Sequence, residues 1–189
     1  DSYVTSNVSI SRTGRVVDRY GYTGQTKKLE GQSTTFYDNK YYCCGENYVG
    51  NAQSISVWDS TGTFIQAKTD YVDLGHANSI TGYDGRLYIA DGSGASIHLV
   101  SASDLSYISS ISISGYASVY GISENDGDIY FLGYRLNAGS TKTICKLIDT
   151  AGTFEELCDF TGLINQVPQG FTVKDNKAYV LYNQSNQIV

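Results

Sequence analysis

Short apolar and aromatic runs, separated by polar turns, recur along the chain. The stretch GYDGRLYIADG at 82–92 places an Asp-Gly pair between two such runs. This pair is typical of a two-residue hairpin turn, because both residues tolerate positive φ. The second run, LYIA at 87–90, is apolar at consecutive positions, as in strands covered on both faces. The pattern predicts a β-hairpin packed inside a larger β structure.

The same hairpin recurs at three other places: FYDNKYYCCGE at 36–46, SENDGDIYFLGY at 123–134 and TVKDNKAYVLYN at 172–183. Each copy has Asp followed by Asn or Gly and then a tyrosine. These tyrosines are Tyr42, Tyr88, Tyr130 and Tyr179, with spacings of 46, 42 and 49 residues. We expect all four to pack between repeated units, because each follows the same turn at the same offset.

A second type of hairpin lies between these copies, at 54–68, 96–111 and 142–160. Its fourth copy, 7–22, stands alone at the start of the chain, while 170–189 is a first hairpin without a second. The sequence therefore predicts an all-β fold, a β-propeller of four four-stranded blades whose first blade is closed by strands from both termini. The single domain covers 1–189, with blades at approximately 170–189 plus 1–24, 30–74, 76–114 and 117–162. A β-sandwich lectin and a five-bladed ring of which this chain is a part are the alternatives.

Composition and charge narrow the classes of function. The chain has 189 residues, 17 Tyr, 20 Gly and no Met, and we expect it to be processed or a piece of a longer polypeptide. Its net charge of −6 without clustered Lys and Arg argues against nucleic acid as a partner. No run approaches the roughly 18 apolar residues of a membrane span, so no membrane insertion is expected. We predict no cofactor and no metal site, because no Cys or His spacing is typical of zinc.

The four cysteines are Cys43, Cys44, Cys145 and Cys158. We interpret them as reduced side chains that act as small hydrophobes. A cross-strand bridge between Cys145 and Cys158, or a strained one between the adjacent Cys43 and Cys44, is the alternative.

Candidate chemistry lies in the loops at one end of the predicted ring. Aligning the repeats places Gln32, Asn78, Tyr120 and Gln169 at equivalent positions near the channel mouth. Neutral amides and tyrosine rings suit sugars, because amides pair with hydroxyls in both directions and rings cover apolar C–H patches. The predicted ligand-binding residues are Tyr48, Asn51, His76, Asn78, Asp91, Tyr116, Tyr120, Tyr134, Arg135 and Gln169.

No catalytic residue is predicted. Asp91 is the loop carboxylate to test as an acid, and the sequence offers no second one for the pair that glycosidases use.

The segment GHANSITGYDGRLYIAD at 75–91 resembles blades in propeller domains of receptor-binding and tail-fibre proteins from phages of Gram-positive bacteria. Ser79 stands where that resemblance leads us to expect Asp. The resemblance implies an oligomeric adhesion module at the virion surface or another extracellular surface. We therefore predict a non-catalytic module that contacts a cell-surface saccharide or glycopolymer, with other protein subunits as partners. An architectural or protein-docking propeller is the main alternative, and a glycan-active enzyme is a further one.

Overall fold

The computed structural model describes residues 29–47, 52–71, 73–136, 141–159, 168–184 and 187–188. All regular secondary structure in these ranges is β-strand, and no helix occurs in them. The strands are β1 Leu29–Tyr37, β2 Lys40–Asn47, β3 Ala52–Asp59, β4 Phe64–Tyr71, β5 Ser79–Tyr83, β6 Arg86–Ala90, β7 Ser96–Ser101, β8 Tyr107–Ser112, β9 Tyr116–Asn125, β10 Asp128–Arg135, β11 Lys142–Leu147, β12 Phe154–Asp159, β13 Pro168–Lys174, β14 Lys177–Gln184 and β15 Gln187–Ile188.

Within the described residues, consecutive strands pair in an antiparallel manner and form four separate sheets, which we call blades one to four. Blades one, two and three contain β1 to β4, β5 to β8 and β9 to β12, and blade four contains β13 to β15. The predicted all-β fold with two hairpins per blade is confirmed for the first three sheets. Blade four is the blade that we predict to be closed by strands from both termini. The predicted pairing of the N-terminal segment 1–24 with it lies outside the described residues.

The turn in each first hairpin has the backbone that its sequence predicts. Both central residues have positive φ, between 47° and 86°, at Asp38–Asn39, Asp84–Gly85, Asp126–Gly127 and Asp175–Asn176. Two such residues make a type I′ turn, whose twist matches that of the flanking strands. Asp, Asn and Gly adopt this backbone at low cost, so the turn chemistry specifies the hairpin register.

The strand β6 shows why the sequence of an inner hairpin is apolar at consecutive positions. Leu87 and Ile89 pack in the core between blades one and two, whereas Tyr88 and Ala90 pack in the core between blades two and three. Successive side chains of a strand point to opposite faces. Both faces of blade two are therefore covered by neighbouring blades.

The four repeated tyrosines share one register but not one environment. Each lies opposite a Ser or Thr of its inner strand: Thr35, Thr81, Ser123 and Thr172. Tyr42 and Tyr88 are buried and Tyr130 is half-buried, but Tyr179 is 54% exposed. The expectation of equivalent packing is wrong for Tyr179, because the two-residue β15 is the only strand beyond β14 in the described part of blade four.

The four cysteines are free. Cys158 pairs with Ile144, not with Cys145, because the ladder between β11 and β12 is irregular between Ile144 and Cys145. Cys145 is buried while Cys158 is exposed, so the two thiols do not face each other.

Hydroxyl groups join the inner strands of neighbouring blades. The amide of Glu124 donates to Thr81 Oγ1 at 3.1 Å, and the amide of Val173 donates to Ser123 Oγ at 3.0 Å. These contacts satisfy backbone groups on strand edges that have no ladder partner. Thr81 and Ser123 occupy equivalent positions of β5 and β9. The same type of hydrogen bond therefore links blade two to blade three and blade three to blade four.

In the part of the chain that the structure describes, no helix has the length and apolar character of a membrane span.

Candidate functional site

A cavity of about 380 Å³ lies between the four inner strands β1, β5, β9 and β13. We call it the central channel. Each inner strand presents an unpaired edge to this space, so consecutive residues of the strand line it. The lining residues are 33–37, 78–82, 122–124 and 170–172. Its volume falls within the range of about 300–1,000 Å³ that is typical of small-molecule sites.

The channel lining combines hydroxyls, aromatic rings and one carboxylate. Thr35, Thr81, Ser123 and Thr172 place hydroxyls at equivalent positions of the four inner strands. Those of Thr81 and Ser123 are buried and accept the hydrogen bonds between blades described above. The side chain of Phe36 is 54% exposed, and its ring lies 4.8 Å from that of Tyr41 between centroids, in a tilted arrangement. Hydroxyls donate and accept hydrogen bonds, so this lining favours a small polar ligand that also has an apolar face.

Glu124 is the charged residue among the described residues that line the channel. Its side chain is half-buried, and Oε1 accepts a hydrogen bond from the amide of Gly127 at 2.7 Å. This bond across the Asp126–Gly127 turn fixes the position of the carboxylate.

The residues aligned at the channel mouth lie at irregular points of the inner strands. The ladders skip Gln32, Tyr120 and Gln169, each of which is an extra residue in its strand. Asn78 directly precedes β5, and its backbone amide donates to the carbonyl of Ala90 at 3.0 Å. Bulges re-aim side chains at the rims of sheets, and the three skipped residues occupy comparable irregular positions in β1, β9 and β13. The side chain of Gln169 is outside the described part of the structure.

Three of the predicted residues lie close together, and of these Asn78 lines the channel. Asn78 Nδ2 donates to the carbonyl of Tyr120 at 2.7 Å, and the rings of Tyr120 and Tyr134 lie 4.7 Å apart between centroids. Lys142 Nζ lies 5.3 Å from the centroid of the Tyr134 ring. Burial, and secondarily Tyr120, raises the pKa of Tyr134 to about 12. The Tyr134 phenol therefore keeps its proton at neutral pH.

Asp91 lies nearby but has a structural role. Burial alone would raise the pKa of its carboxyl, but hydrogen bonds from His98 and Ser93 outweigh burial and lower the pKa to about 2. Asp91 Oδ1 accepts from Ser93 Oγ at 2.6 Å, and Oδ2 lies 3.5 Å from His98 Nε2. A Cβ on Gly75 would lie 1.9 Å from Asp91 Oδ1. A carboxyl group with this pKa is ionised at neutral pH and is a poor general acid.

His76 belongs to the same loop contact. Its side chain is half-buried, and its amide donates to the carbonyl of Asp91 at 2.7 Å. A Cβ on Gly92 would lie 2.6 Å from Asn78 Cβ and 3.3 Å from His76 Cβ. The loops before β5 and after β6 are therefore tightly packed, and Gly92 permits their approach.

Tyr116 and Arg135 lie at a different place from the one we expected. Tyr116 is buried at the start of β9, where its ring meets Phe131 and Phe154 edge to face. Its hydroxyl donates to Glu156 Oε1 at 2.8 Å, and Arg135 forms an ion pair with the same Glu156. Burial raises the pKa of Tyr116. Tyr116 is thus part of the blade core, and Arg135 is held by an acidic neighbour.

Two further predicted ligand residues, Tyr48 and Asn51, lie outside the described residues. Their predicted role in binding stays a prediction, as does that of the other residues of the set.

Sequence reasoning missed the channel residues themselves. Thr35, Thr81, Ser123 and Thr172 each stand seven residues before a repeated tyrosine, and this regularity is visible in the sequence. No comparable signal identifies Phe36 or Glu124, which occupy the same register position as Gly82 and Val173. In the described ranges, no group of three His, Cys, Asp or Glu side chains is arranged to hold a metal ion.

Comparison with known proteins gives a fold but no family. No protein-family model matches the chain, and no curated protein sequence matches it. Among solved structures, an alpha-L-arabinofuranosidase from Clostridium thermocellum is similar, with a TM-score of 0.54 and 17% identity over 80% of this chain. A streptogramin B lyase gives 0.51 and 21% over 86%, and a bifunctional GH43-CE protein of Bacteroides eggerthii gives 0.50 and 12% over 82%.

These structures have propeller-type folds, and the predicted propeller is thereby confirmed. The chain spans 60%, 54% and 25% of their respective lengths. At identities this low, the likeness shows the fold alone.

The comparisons also correct the predicted function. Two of the similar structures are GH43 glycoside hydrolases, which are catalytic proteins. The prediction of a non-catalytic adhesion module is therefore wrong, because this fold gives no ground for excluding catalysis. The resemblance to phage tail-fibre propellers gains no support, since what these structures share with the chain is the propeller fold.

Proposed function

We propose that the central channel binds a saccharide and that the chain is the ligand-binding propeller of a protein that acts on carbohydrate. The observation that carries this proposal is the lining of the 380 Å³ channel. It combines hydroxyl side chains of the inner strands, among them the less buried Thr35 and Thr172, with the exposed ring of Phe36 and the carboxylate of Glu124.

This lining matches the chemistry of a sugar ring. A pyranose carries hydroxyls around its edge, which donate to and accept from Ser and Thr side chains. Its C–H faces are apolar, and an aromatic ring such as Phe36 covers them. Asn78 adds a side-chain amide to the lining, with its Nδ2 bonded to the carbonyl of Tyr120. The phenol of Tyr134 lies beside Tyr120 and remains a donor because its pKa is about 12.

The similar structures support carbohydrate as the ligand class, since two of them are an arabinofuranosidase and a GH43-CE protein. The channel differs from the predicted loop surface, because its lining comes from the inner strands. A surface polymer would instead lie across the loops.

Turnover is a separate property of the same site. Hydrolysis by the two-carboxylate mechanism needs a second acid about 5–10 Å from the first, and Glu124 is the carboxylate that lines the described channel. A binding assay and a product assay on the same sample therefore measure different things.

The test uses the purified chain and neutral mono- and oligosaccharides. Binding is followed by NMR titration, and sugar release is followed by a reducing-end assay. Phe36→Ala should weaken binding about three- to tenfold, because the contact of an aromatic ring contributes about 0.5–1.5 kcal/mol beyond its buried area. Phe64→Ala is the matched control, since Phe64 is also an exposed ring, 40% accessible, paired with Trp58 on the outer strand of blade one.

Selective loss of affinity in Phe36→Ala, with Phe64→Ala unchanged, supports the channel as the site. The absence of sugar binding by the unmodified chain would contradict the proposal. Equal losses in both variants would instead point to a general effect on the fold. Sugar release that is abolished by Glu124→Gln would extend the proposal from binding to catalysis.

A further inference from the structure

We infer that Glu124 makes the central channel selective for the charge of its ligand. It should accept sugars with a cationic amino group and reject sugars with a carboxylate. This inference rests on the proposed function and adds a substrate class to it.

The first step is the charge of the lining. Of the described residues around the channel, Glu124 carries the formal charge, and the others are hydroxyl, amide, apolar or aromatic. The lining therefore has no counter-charge close to this carboxylate. The whole chain is also acidic, with a net charge of −6, so the field over the surface acts in the same direction.

The second step is the rigidity of the carboxylate. The backbone amide of Glu124 donates to Thr81 Oγ1 at 3.1 Å, and its Oε1 accepts from Gly127 at 2.7 Å. Both contacts hold the residue in place at the start of the Asp126–Gly127 turn. A fixed charge needs no reorganisation when a ligand enters, so its preference for opposite charge is expressed in the affinity.

The third step is solvent. Glu124 lines the channel and is half-buried. Water screens charges less effectively at such a site than on an open surface. A ligand carboxylate in the same channel would be repelled, whereas a ligand ammonium group would be attracted.

The experiment compares three sugars with the same ring: glucosamine, glucose and glucuronate. NMR titration at about pH 6 keeps the ammonium and carboxylate groups charged. The unmodified chain should bind glucosamine about tenfold more tightly than glucose, and glucose about tenfold more tightly than glucuronate. Raising the salt concentration should shrink both ratios.

Glu124→Gln keeps the Oε1 acceptor for Gly127 and removes the charge. It should bring the three affinities within about threefold of one another. Glu155→Gln is the matched control, because Glu155 is exposed on the outer strand β12 and its replacement changes the net charge equally.

The possible results separate the two proposals. If glucose binds but glucuronate binds equally well, the charge selection is wrong while the saccharide channel stands. The same holds if Glu124→Gln keeps the order of the three sugars, or if Glu155→Gln abolishes it. If none of the three sugars binds, both proposals are wrong.

Discussion

The carboxylate of Asp91 shows how one residue takes its role from its surroundings. From the sequence, it was the loop acid to test for proton transfer. In the fold, the Ser93 hydroxyl donates to one carboxylate oxygen of Asp91, and the His98 ring lies beside the other. Gly75 and Gly94 leave room for these two oxygens, because neither has a Cβ. The pKa of Asp91 is therefore about 2. Its carboxylate is ionised at neutral pH and has a structural role.

Asp91 should therefore make the stability of the fold depend on pH. Its pKa is lowered in the folded state, from 3.8 to about 2, so the ionised form stabilises the fold above about pH 4. This stabilisation is lost as the pH falls through the folded-state pKa. Asp91→Asn should lower the free energy of unfolding by about 1–3 kcal/mol at pH 6. Urea unfolding should show that the difference in free energy of unfolding between the unmodified chain and Asp91→Asn disappears as the pH approaches 2.

Asp73→Asn provides the control, because Asp73 is exposed in the loop before β5. It should unfold like the unmodified chain at every pH. A gap for Asp91→Asn that stays constant down to the lowest pH would show that its ionisation contributes nothing.

At the scale of elements, the inner strands are held by close approach as much as by hydrogen bonds. Gly121 of β9 lies against the ring of Phe171 in β13, where an added Cβ would be 2.5 Å from Phe171 Cβ. The equivalent residue of β13, Gly170, has its nearest neighbour at 3.4 Å, on Leu181. Equivalent glycines therefore have different packing requirements.

Gly121→Ala should destabilise the fold by about 1–3 kcal/mol, because overpacking forces the blades apart. Gly170→Ala should change stability by less than about 1 kcal/mol, since its Cβ would make an ordinary contact and Ala limits the unfolded chain more than Gly does. Thermal unfolding of both variants measures the difference. Equal effects would mean that the approach of β9 to β13 does not limit stability.

At the scale of the whole molecule, the closure of the ring remains a prediction. The two-residue β15 is the outermost strand in the described part of blade four, and Tyr179 and Leu181 of β14 are 54% and 39% exposed. The second-hairpin pattern at 7–22 predicts the strands that cover them. Burial of a large side chain such as Tyr179 contributes about 1.5–3 kcal/mol, so closure should matter for stability.

Deletion of residues 1–24 should lower the unfolding temperature and speed amide hydrogen exchange in β14. Exchange in blade two should change less, because both of its faces are covered by blades one and three. Unchanged exchange in β14 after the deletion would contradict closure by the N-terminal segment.

The sequence by itself determined the local structure of this protein. Asp-Asn and Asp-Gly pairs set type I′ turns, and consecutive apolar residues such as those of β6 set strands covered on both faces. These features depend on backbone preferences and on neighbours a few residues apart, which a single sequence displays. Repetition every 42 to 49 residues then gave the arrangement of blades.

Only the tertiary structure decided which residues form the channel and which belong to the core. Tyr116 looked like a loop residue but packs against Phe131 and Phe154, and Phe36 and Glu124 carried no motif yet line the channel. The physical reason is that the channel is made by the edges of four strands that are far apart in sequence. The chemistry of the channel depends on which side chains from these strands lie close together. A local sequence pattern does not specify such long-range proximity.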